Sequence, residues 1–251
     1  YHQILLTFLL NHNLYLIPFC YISCNIFVMF ITYQQTSEQS YLLDYGEDIN
    51  FNTNKKVISH FKYLLKNNYK YILNVVPSFN KLLIVFDIEF KKDIEILIKK
   101  LKSIEDYDEI DSIQHLISIC YDEEYALDYK NVENAFSMDF DEFINFHSST
   151  IFNVFMIGFM PGLPFLGLLN VNKSLPRLEN PRISIPAGSV GVVDNLSVIY
   201  PNQSSGGWNL IGKTSFNLFN KNRNKPTLNP GDSVKFKSIS KKESIENEER
   251  N

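Results

Sequence analysis

The stretch that decides the fold of this chain opens with Gly158-Phe-Met-Pro-Gly-Leu-Pro-Phe-Leu-Gly167. Three further blocks of the same character follow it: Ile185-Pro-Ala-Gly-Ser-Val-Gly191, Ile199-Tyr-Pro201 and Gly206-Gly-Trp-Asn-Leu-Ile-Gly212. Glycine allows backbone conformations and close approaches that a Cβ forbids, whereas proline fixes φ and removes a hydrogen-bond donor. Short apolar runs interrupted by these two residues predict specified loops on a β scaffold, and we look for function there.

Length, charge and cysteine content limit the class of protein. A chain of 251 residues is long enough for two modest domains, and its net charge of −4 gives no reason to expect a nucleic-acid partner. The three cysteines have neither the spacing of a zinc site nor the pattern of a disulfide framework. We therefore expect no bound metal and a location in the reducing cytoplasm.

Charge is unevenly distributed along the chain. Between Leu116 and His147 there are eight acidic residues and one lysine, whereas between Ser148 and Lys237 there are nine Lys or Arg and three acidic residues. A basic C-terminal half fits an anionic ligand, and it fits an ordinary solvated surface equally well. The acidic run Asp122-Glu-Glu124 is interpreted as a solvated turn rather than as a metal site.

The N-terminal residues resemble a membrane span in one respect. The segment from Leu14 to Tyr33 contains no charged residue and is long enough to cross a bilayer. However, no Lys or Arg precedes Lys55, so the positive flank typical of signal peptides and anchors is missing. We expect residues 1–28 to be a non-native upstream segment, with Met29 as the native start and no membrane partner. A genuine anchor is the alternative.

Residues 29–114 are expected to form a small α+β domain of ferredoxin-like type. Apolar residues alternate in the strands and recur at helical spacing in the helices. The expected elements are a strand at 40–45, a helix at 54–65, strands at 71–76 and 82–86, and a helix at 94–101. A strand at 117–120, or a neighbouring strand, is expected to close this unit, and the acidic run 103–112 is interpreted as a linker.

Residues 115–237 are expected to form a mainly β domain with a closed or sandwiched sheet, because many short strands alternate with Gly and Pro turns. A helix at 139–148 and a buried strand at 151–157 open this domain. Later strands are expected at 183–185, 190–193, 197–200, 208–211, 215–219 and 234–236. The charged tail 238–251 has little apolar content, so we expect it to be disordered.

One motif in this domain is misleading. Gly207-Trp-Asn-Leu-Ile-Gly-Lys-Thr214 satisfies the P-loop formula letter for letter. A P-loop joins a strand to a helix whose N-terminus holds the phosphate, but residues 208–211 favour an extended strand and residues 215–219 alternate like another. We predict that this segment is not a nucleotide-binding loop, although Lys213 remains a candidate ligand contact.

Taken together, the blocks resemble the B-type 5-oxoprolinase subunit family, which also contains a small sporulation-kinase inhibitor and subunit 1 of allophanate hydrolase. A further block, Pro176-Arg-Leu-Glu-Asn-Pro-Arg182, belongs to the same resemblance, which extends from about Met29 to Lys237. Several blocks in the same order are more specific than any one of them. The resemblance implies a cyclophilin-like β-barrel for the C-terminal domain, after a small α+β domain.

The resemblance also implies a function. It points to one subunit of an enzyme, inactive alone, that opens 5-oxoproline to glutamate with ATP and its magnesium counterion as cofactors. The implied partners are a homologous barrel subunit of the C type and a subunit of the A type. Two alternatives stay open: a regulatory protein that inhibits a sensor histidine kinase, and a subunit of an allophanate or other amide hydrolase. The chain has Asp194-Asn-Leu196 where the family usually has Gly-Gly-Gln, which leaves the exact substrate open.

Candidate site residues follow from the same resemblance. Arg177 and Arg182 occupy the family's paired Pro-Arg positions and are candidates for gripping a carboxylate or phosphate. His147 matches a histidine placed just before the Gly-Phe-x-Pro-Gly strand, where it serves either acid–base chemistry or a structural hydrogen bond. The candidates for binding substrate or phosphate are Gly188, Ser189, Tyr200, Gly206, Gly207, Trp208 and Lys213. For several of these, a tight turn or core packing is an equally good explanation.

The first block also offers a partner surface. Phe159, Leu163 and Phe165 are expected either to pack in the core or to contact a partner. If the chain inhibits a kinase, exposed apolar residues such as Phe159 or Leu163 should make the contact. If it belongs to an enzyme complex, charge reversal at Arg177 or Arg182 should abolish turnover and leave assembly intact.

Overall fold

The structure is a computed structural model that describes residues 31–89, 94–104, 112–220 and 222–249. The expected upstream segment 1–28 and the start at Met29 lie outside the described residues. The described part of the N-terminal unit runs, in chain order, through β1 (Thr32–Ser37), β2 (Ser40–Asp44), α1 (Phe51–Asn67), β3 (Ile72–Pro77), β4 (Lys81–Phe86) and α2 (Ile94–Lys102).

The strands of this unit form one antiparallel sheet in the order β1-β2-β4-β3. Alternate residues of β4, among them Leu82 and Ile84, are fully buried and share one apolar cluster with Val57 of α1 and Leu101 of α2. Helix α1 begins where the side chain of Asn50 accepts a hydrogen bond from the backbone N–H of the third helical residue. The expected helices and strands are therefore present, and both helices cover the sheet.

The strand favoured for closing this sheet, at 117–120, lies elsewhere. The edge position is taken by β1, which forms a hairpin with β2 from Thr32 opposite Asp44 to Ser37 opposite Ser40. A hairpin between neighbouring strands costs little loop-closure entropy. Pairing of β1 at that edge is therefore less costly than pairing of a strand that follows α2. The ferredoxin-like description of the N-terminal unit is not confirmed.

The second unit is mainly β. Its elements are β5 (Gln114–Ile119), α3 (Tyr129–Phe136), α4 (Phe140–Ser149), β6 (Ile151–Ile157), β7 (Pro164–Gly167), β8 (Arg182–Ile185), β9 (Ser189–Val193), β10 (Leu196–Ile199), β11 (Ser204–Gly206), β12 (Asn209–Lys213), β13 (Phe219–Asn220), β14 (Lys225–Pro226), β15 (Ser233–Ser238) and α5 (Lys241–Glu249).

Seven of these strands form a single sheet in the order β12-β9-β10-β7-β6-β15-β5. Strands β5 and β15 are parallel, and the other neighbours in the sheet are antiparallel. The two edge strands meet where Cys120 and Lys213 exchange backbone hydrogen bonds of 2.8 and 2.9 Å. The sheet therefore curls until its edges touch, which confirms a mainly β class; the cyclophilin-like description stays a prediction.

A large apolar cluster lies on the concave side of this arrangement. Ile117, Phe152, Val190 and Phe236 belong to it, and α4 adds Phe143. Helix α4 begins with a complete capping box, in which Asp139 and Glu142 each accept a hydrogen bond from the other's backbone N–H. This helix was expected at 139–148, and the capping box is the local reason why it begins there.

Three segments differ from expectation. The tail expected to be disordered contains α5, in which Ser240 and Glu243 cap each other and Ser244 is buried. Residues 214–218, expected to be part of a strand, are irregular, and only Phe219–Asn220 pairs. Helix α3 was not expected, because its charged residues obscure the helical spacing of the two positions that it buries, Val132 and Phe136. In the first two cases, contacts with distant segments outweigh the local pattern.

The prediction for the P-loop-like motif is confirmed. Residues 209–213 form β12, which pairs with β9, and no helix follows Thr214 before α5 in the described part of the chain. Among the described residues, no helix is both long and apolar enough to cross a membrane.

The two units touch through the turn between β3 and β4. The Asn54 side chain donates hydrogen bonds to the carbonyls of Ser78 and Phe79 on this turn and, at 3.3 Å, to the carbonyl of Phe155 in β6. The Phe79 ring meets the rings of Phe155 and Phe165 edge-on at centroid distances of 6.3 and 5.4 Å. The turn thus places the first unit against strands β6 and β7 of the second.

Candidate functional site

Arg182, the first residue of β8, is held by a buried carboxylate. Its Nη2 donates a 2.8 Å hydrogen bond to Oδ1 of Asp128, whose side chain is 7% exposed. Oδ2 of Asp128 accepts a 2.7 Å hydrogen bond from the backbone N–H of Leu210 in β12. Because a buried charge requires a partner, Asp128 determines where the Arg182 guanidinium lies.

The same guanidinium has an unsatisfied donor. Nη1 of Arg182 is buried and finds no hydrogen-bond partner among the described residues. A buried donor without an acceptor costs about 1–3 kcal/mol. The Arg182 side chain as a whole is 26% exposed, so another part of the side chain faces solvent while Nη1 does not.

Arg177 lies on the loop between β7 and β8, and its guanidinium sits over the Trp208 ring, 5.7 Å from the ring centroid. The backbone on both sides of Arg177 is fixed. The side-chain amide of Asn209 donates to the carbonyl of Pro176 at 2.9 Å, and the Leu178 N–H donates to a carbonyl of the β11–β12 connection at 2.8 Å. The cation–π contact then directs the exposed guanidinium.

The Tyr200 hydroxyl is influenced by the charges of both arginines. The side chain is buried, and burial raises the pKa of its hydroxyl to about 12, against the opposing effects of Arg177, Arg182 and a backbone hydrogen bond from Trp208. The hydroxyl is therefore protonated at neutral pH and can donate a hydrogen bond. Gly206 lies opposite Arg182 in the β8–β11 pair, and a Cβ at this position would collide with the Tyr200 hydroxyl.

The structure thus brings together five of the predicted residues, which we call the arginine-pair site: Arg177, Arg182, Tyr200, Gly206 and Trp208. Gly207 has a structural role next to the site, since its carbonyl accepts the hydrogen bond from the Leu178 N–H. One side of the site is apolar. Trp208 meets Phe165 edge-on at a centroid distance of 5.9 Å, and it shares a buried cluster with Ile185.

Three other candidates have structural surroundings: Gly188 and Ser189 lie in a tight turn, and Lys213 lies where the two edge strands of the sheet meet. Gly188 has φ +81°, and its N–H donates to the carbonyl of Tyr200 at 2.7 Å. Ser189 is buried at the start of β9. The Lys213 ammonium forms a 2.7 Å ion pair with Glu248 of α5 and lies over the ring of Tyr125. A tight turn therefore explains Gly188 and Ser189, and the Lys213 ammonium is paired with α5.

His147 lies in the core. It is fully buried, its Nδ1 is 2.7 Å from the Tyr121 hydroxyl, and its Nε2 is 3.1 Å from the Ser197 hydroxyl. The ring also stacks on Phe236 at a centroid distance of 4.8 Å. Burial lowers the pKa of His147 to about 3, so the ring is neutral at physiological pH. Of the two roles considered for this residue, the geometry favours the structural hydrogen bond over acid–base chemistry.

Sequence reasoning missed two residues that position the arginines. Asp128 is one of the eight acidic residues between Leu116 and His147 and was given no role of its own, yet it is buried and binds Arg182 across 54 residues of chain. Asn209 is buried inside the P-loop-like motif, where its amide holds Pro176 and its Oδ1 accepts from Asn131. The one signal for Asn209 was a polar residue at an inward position of an apolar strand.

The segment that departs from the family pattern supports the chain itself. Asp194 adopts a positive φ of 49° in the two-residue turn between β9 and β10. Its Oδ1 accepts hydrogen bonds from the Ser174 hydroxyl at 2.7 Å and from the Leu175 N–H at 3.1 Å. Asp194 therefore anchors the residues just before Arg177.

The expected partner surface is smaller than the sequence indicated. Phe159 is 74% exposed, at a positive φ of 70°, whereas Leu163 is 2% exposed and Phe165 is partly buried against the apolar cluster of Trp208. Of the two outcomes considered for Leu163, core packing is the one observed, because the loop folds back through a 3.1 Å hydrogen bond from Gly158 N–H to the Leu163 carbonyl, and Leu163 is therefore not an exposed contact for a kinase. Phe159 alone of these three residues is presented to a partner.

The acidic residues show no metal-binding arrangement. In the part of the chain that the structure describes, no group of three or more His, Cys, Asp and Glu could hold a metal ion. Asp122 and Glu124 instead bind the Lys241 ammonium of α5.

The chain, with its curled sheet, is of the carboxyltransferase-domain type. Residues 31–229 match the family model described as carboxyltransferase domain, subdomain C and D. The chain is 34% identical over 235 residues to the B-type subunit of 5-oxoprolinase from Bacillus subtilis (strain 168), in an alignment that covers 86% of this chain and 96% of the relative. The chain therefore belongs to the B-type 5-oxoprolinase subunit family.

Solved structures agree with this fold. The crystal structure of TTHA0988 superimposes with a TM-score of 0.69 at 27% identity, and the match covers 80% of this chain and 40% of TTHA0988. The present chain thus spans less than half of that protein. Urea amidolyase of K. lactis matches with a TM-score of 0.68 at 18% identity over 86% of this chain and 15% of the other. This second likeness concerns the fold alone.

Proposed function

We propose that this chain is one subunit of an ATP-dependent 5-oxoprolinase. The complete enzyme would open 5-oxoproline to glutamate with a homologous barrel subunit of the C type and a subunit of the A type. One observation carries the proposal: in a member of the B-type 5-oxoprolinase subunit family, Arg177 lies over Trp208, and Arg182 is paired with Gly206, whose backbone packs against the buried Tyr200 hydroxyl. Such a cluster of cationic and hydroxyl donors suits an anionic substrate.

The reaction explains the need for these donors. The lactam is an unstrained amide that water attacks poorly, and negative charge develops on its oxygen when a nucleophile adds to the carbonyl carbon, before the C–N bond breaks and the ring opens. Fixed N–H and O–H donors stabilise such charge without reorganisation. The arginine-pair site therefore either binds the substrate anion or stabilises the charge that develops.

ATP would supply a phosphoryl group that makes the lactam oxygen a leaving group. The described residues of this chain do not fit a nucleotide site of the P-loop type, because residues 209–213 form a strand and Lys213 is paired with Glu248. They also lack the carboxylate cluster that would bind magnesium. We therefore assign no step of phosphoryl transfer to this chain.

The test is reconstitution. The chain would be co-purified with its two candidate partner subunits, and the release of ADP and of glutamate would be measured with 5-oxoproline and ATP. We expect turnover that requires all three proteins. Stable assembly without turnover on 5-oxoproline would reject this substrate, and failure to assemble would reject the enzyme.

Point variants connect the activity with the site. Charge reversal by Arg177→Glu should abolish turnover while the three proteins still co-purify. At Arg182, Arg182→Gln removes the charge and keeps a donor for the buried Asp128, and it should have the same effect. Arg223→Glu is the matched control, since Arg223 is exposed in the turn between β13 and β14 and should retain full activity. Equal loss in all three variants would mean that general charge, not the site, is responsible.

The exposure of Phe159 favours a second candidate, a regulatory protein that binds a sensor histidine kinase. An exposed aromatic residue on a loop fixed by its own hydrogen bonds is a suitable anchor for a protein interface. If this candidate is correct, Phe159→Ser should relieve inhibition of kinase autophosphorylation, and Arg177→Glu should not. The opposite pattern would reject it.

A further inference from the structure

We propose that the arginine-pair site binds the carboxylate of a small monoanionic ligand, and that Asp128 sets this preference over phosphate. The inference rests on the proposed function, because 5-oxoproline carries one such carboxylate. It goes further by naming the group that the site recognises and the residue that selects it.

The net charge of the site matches one carboxylate. Arg177 and Arg182 contribute two positive charges, Asp128 contributes one negative charge, and Tyr200 is neutral because burial raises its pKa to about 12. The site therefore carries a net charge of +1. A phosphate group carries a charge of about −1.5 to −2 at neutral pH and would leave negative charge next to Asp128. Glu179, on the same loop, is exposed, and solvent screens its charge.

The arrangement of donors also suits a carboxylate. Arg182 keeps one N–H group without an acceptor among the described residues, because Asp128 occupies the other nitrogen. Arg177 lies over Trp208 and leaves its N–H groups accessible at the guanidinium edge. A carboxylate has two oxygens in one plane and is suited to accept from planar guanidinium donors. The Tyr200 hydroxyl adds a neutral donor beside them.

The apolar side of the site accommodates the rest of such a ligand. Trp208, Phe165 and Ile185 belong to one cluster, and Leu163 is buried in it. Phe165 is the one of these four residues that is partly exposed, so a small ring attached to the carboxylate could contact it, whereas inorganic phosphate has no apolar part to place there. The combination of one charge pair and one apolar side is typical of small-molecule sites.

The chain contains its own probe for this site. Trp208 is the only tryptophan in the sequence, and it contacts Arg177 directly. The full chain, without partners or ATP, would be titrated with 5-oxoproline, 5-oxoprolinamide and sodium phosphate at constant ionic strength, and its tryptophan fluorescence followed. The amide has the same ring and lacks the charge, so the comparison isolates the carboxylate.

We expect 5-oxoproline to bind at least about tenfold more tightly than its amide, the ratio that one charge-assisted hydrogen bond provides. Phosphate should bind more weakly than 5-oxoproline. Equal affinities for acid and amide, tighter binding of phosphate, or no response to 5-oxoproline would each overturn the proposal.

Asp128→Asn tests the selecting residue. The change raises the net charge of the site from +1 to +2 and retains an oxygen that can accept from Arg182. We expect the ratio of 5-oxoproline affinity to phosphate affinity to fall about tenfold. Asp141→Asn, the same change at an exposed residue of α4, should leave the ratio unchanged. An unchanged ratio in Asp128→Asn, with near-wild-type circular dichroism, would show that Asp128 does not select the ligand.

The two proposals fail separately. Discrimination between acid and amide by the isolated chain, without turnover in the complete assembly, would reject the 5-oxoprolinase function and retain a carboxylate site. Turnover of 5-oxoproline without that discrimination would retain the function and reject the carboxylate site.

Discussion

His147 is a buried, uncharged histidine whose protonation opposes folding. His147 is enclosed by aromatic rings, and its two nitrogens face the hydroxyls of Tyr121 and Ser197. Burial lowers its pKa from 6.5 to about 3, so the folded chain excludes a proton that the unfolded chain accepts below about pH 6.5. Stability is fully present above that pH and is lost as the pH falls.

We therefore predict that His147→Gln reduces the pH dependence of stability. The difference in free energy of unfolding between wild type and variant should shrink by about 1.4 kcal/mol for each pH unit between about pH 6 and pH 4. Urea denaturation across this range measures it. Groups such as His60 are common to both proteins and cancel in the difference. A difference independent of pH would contradict the assigned pKa.

Two neighbouring glycines allow a matched test of the site. A Cβ at Gly206 would overlap the Tyr200 hydroxyl and approach Ile185 Cδ1 to 2.9 Å, whereas at Gly207 the nearest atom is 3.5 Å away. We predict that Gly206→Ala lowers the free energy of unfolding by about 1–3 kcal/mol and weakens ligand binding, because the buried tyrosine must shift. Gly207→Ala should change both little. Thermal unfolding and tryptophan fluorescence measure the two effects, and equal losses would refute the proposed close approach.

At the scale of elements, α5 differs from α4 in how it is held. Its ion pairs join Lys241 to Asp122 and Glu124, and Glu248 to Lys213 at the seam between β5 and β12. Ser244 is its one buried residue among those described. Exposed ion pairs are typically worth about 0–1 kcal/mol and weaken with salt. By contrast, α4 combines a capping box with the fully buried Phe143.

We accordingly predict that α5 opens selectively when salt is raised. Hydrogen exchange of the backbone amides of residues 245–249 should accelerate several-fold between low salt and about 0.5 M sodium chloride, while exchange in α4 stays constant. Glu248→Gln should produce part of the same acceleration at low salt. If exchange in α5 is as slow as in α4 under both conditions, apolar packing rather than charge holds the helix.

At the scale of the whole molecule, the β3–β4 turn joins two separate apolar cores. Phe79 reaches from the first unit to the rings of Phe155 and Phe165 in the second, beside the hydrogen bonds of Asn54. Because Phe165 also contacts Trp208, and Trp208 contacts Arg177, the turn is three contacts away from Arg177. The first unit can thus influence the site without contributing a ligand-binding residue.

Removing this contact should uncouple the units. We predict that Phe79→Ala lowers stability by about 2 kcal/mol and separates two unfolding transitions that coincide in the wild type. Tryptophan fluorescence follows the second unit, and far-ultraviolet circular dichroism follows both. Phe51→Ala, at a 48% exposed position in the same unit, is the control and should leave one transition. A single transition in Phe79→Ala would mean that other contacts couple the units.

The sequence by itself determined the local elements of this protein. Periodic apolar residues placed α4 and β6, Gly and Pro marked the loops of the second unit, and the extended character of residues 208–211 excluded a P-loop. The paired arginines were found through resemblance to a family. These features can be predicted from the sequence because a helix, a strand or a turn depends on residues within one short segment.

Only the tertiary structure decided which segments meet. It paired β5 with β15 rather than with the first sheet, and it brought Asp128 to Arg182 and Glu248 to Lys213. It also enclosed His147 in the core. Neither sheet pairing nor the burial of a charged group follows from local periodicity, because each depends on free energy gained between residues far apart in the chain. The neighbours of Asp128 in the folded chain, and not its neighbours in the sequence, make it part of the candidate site.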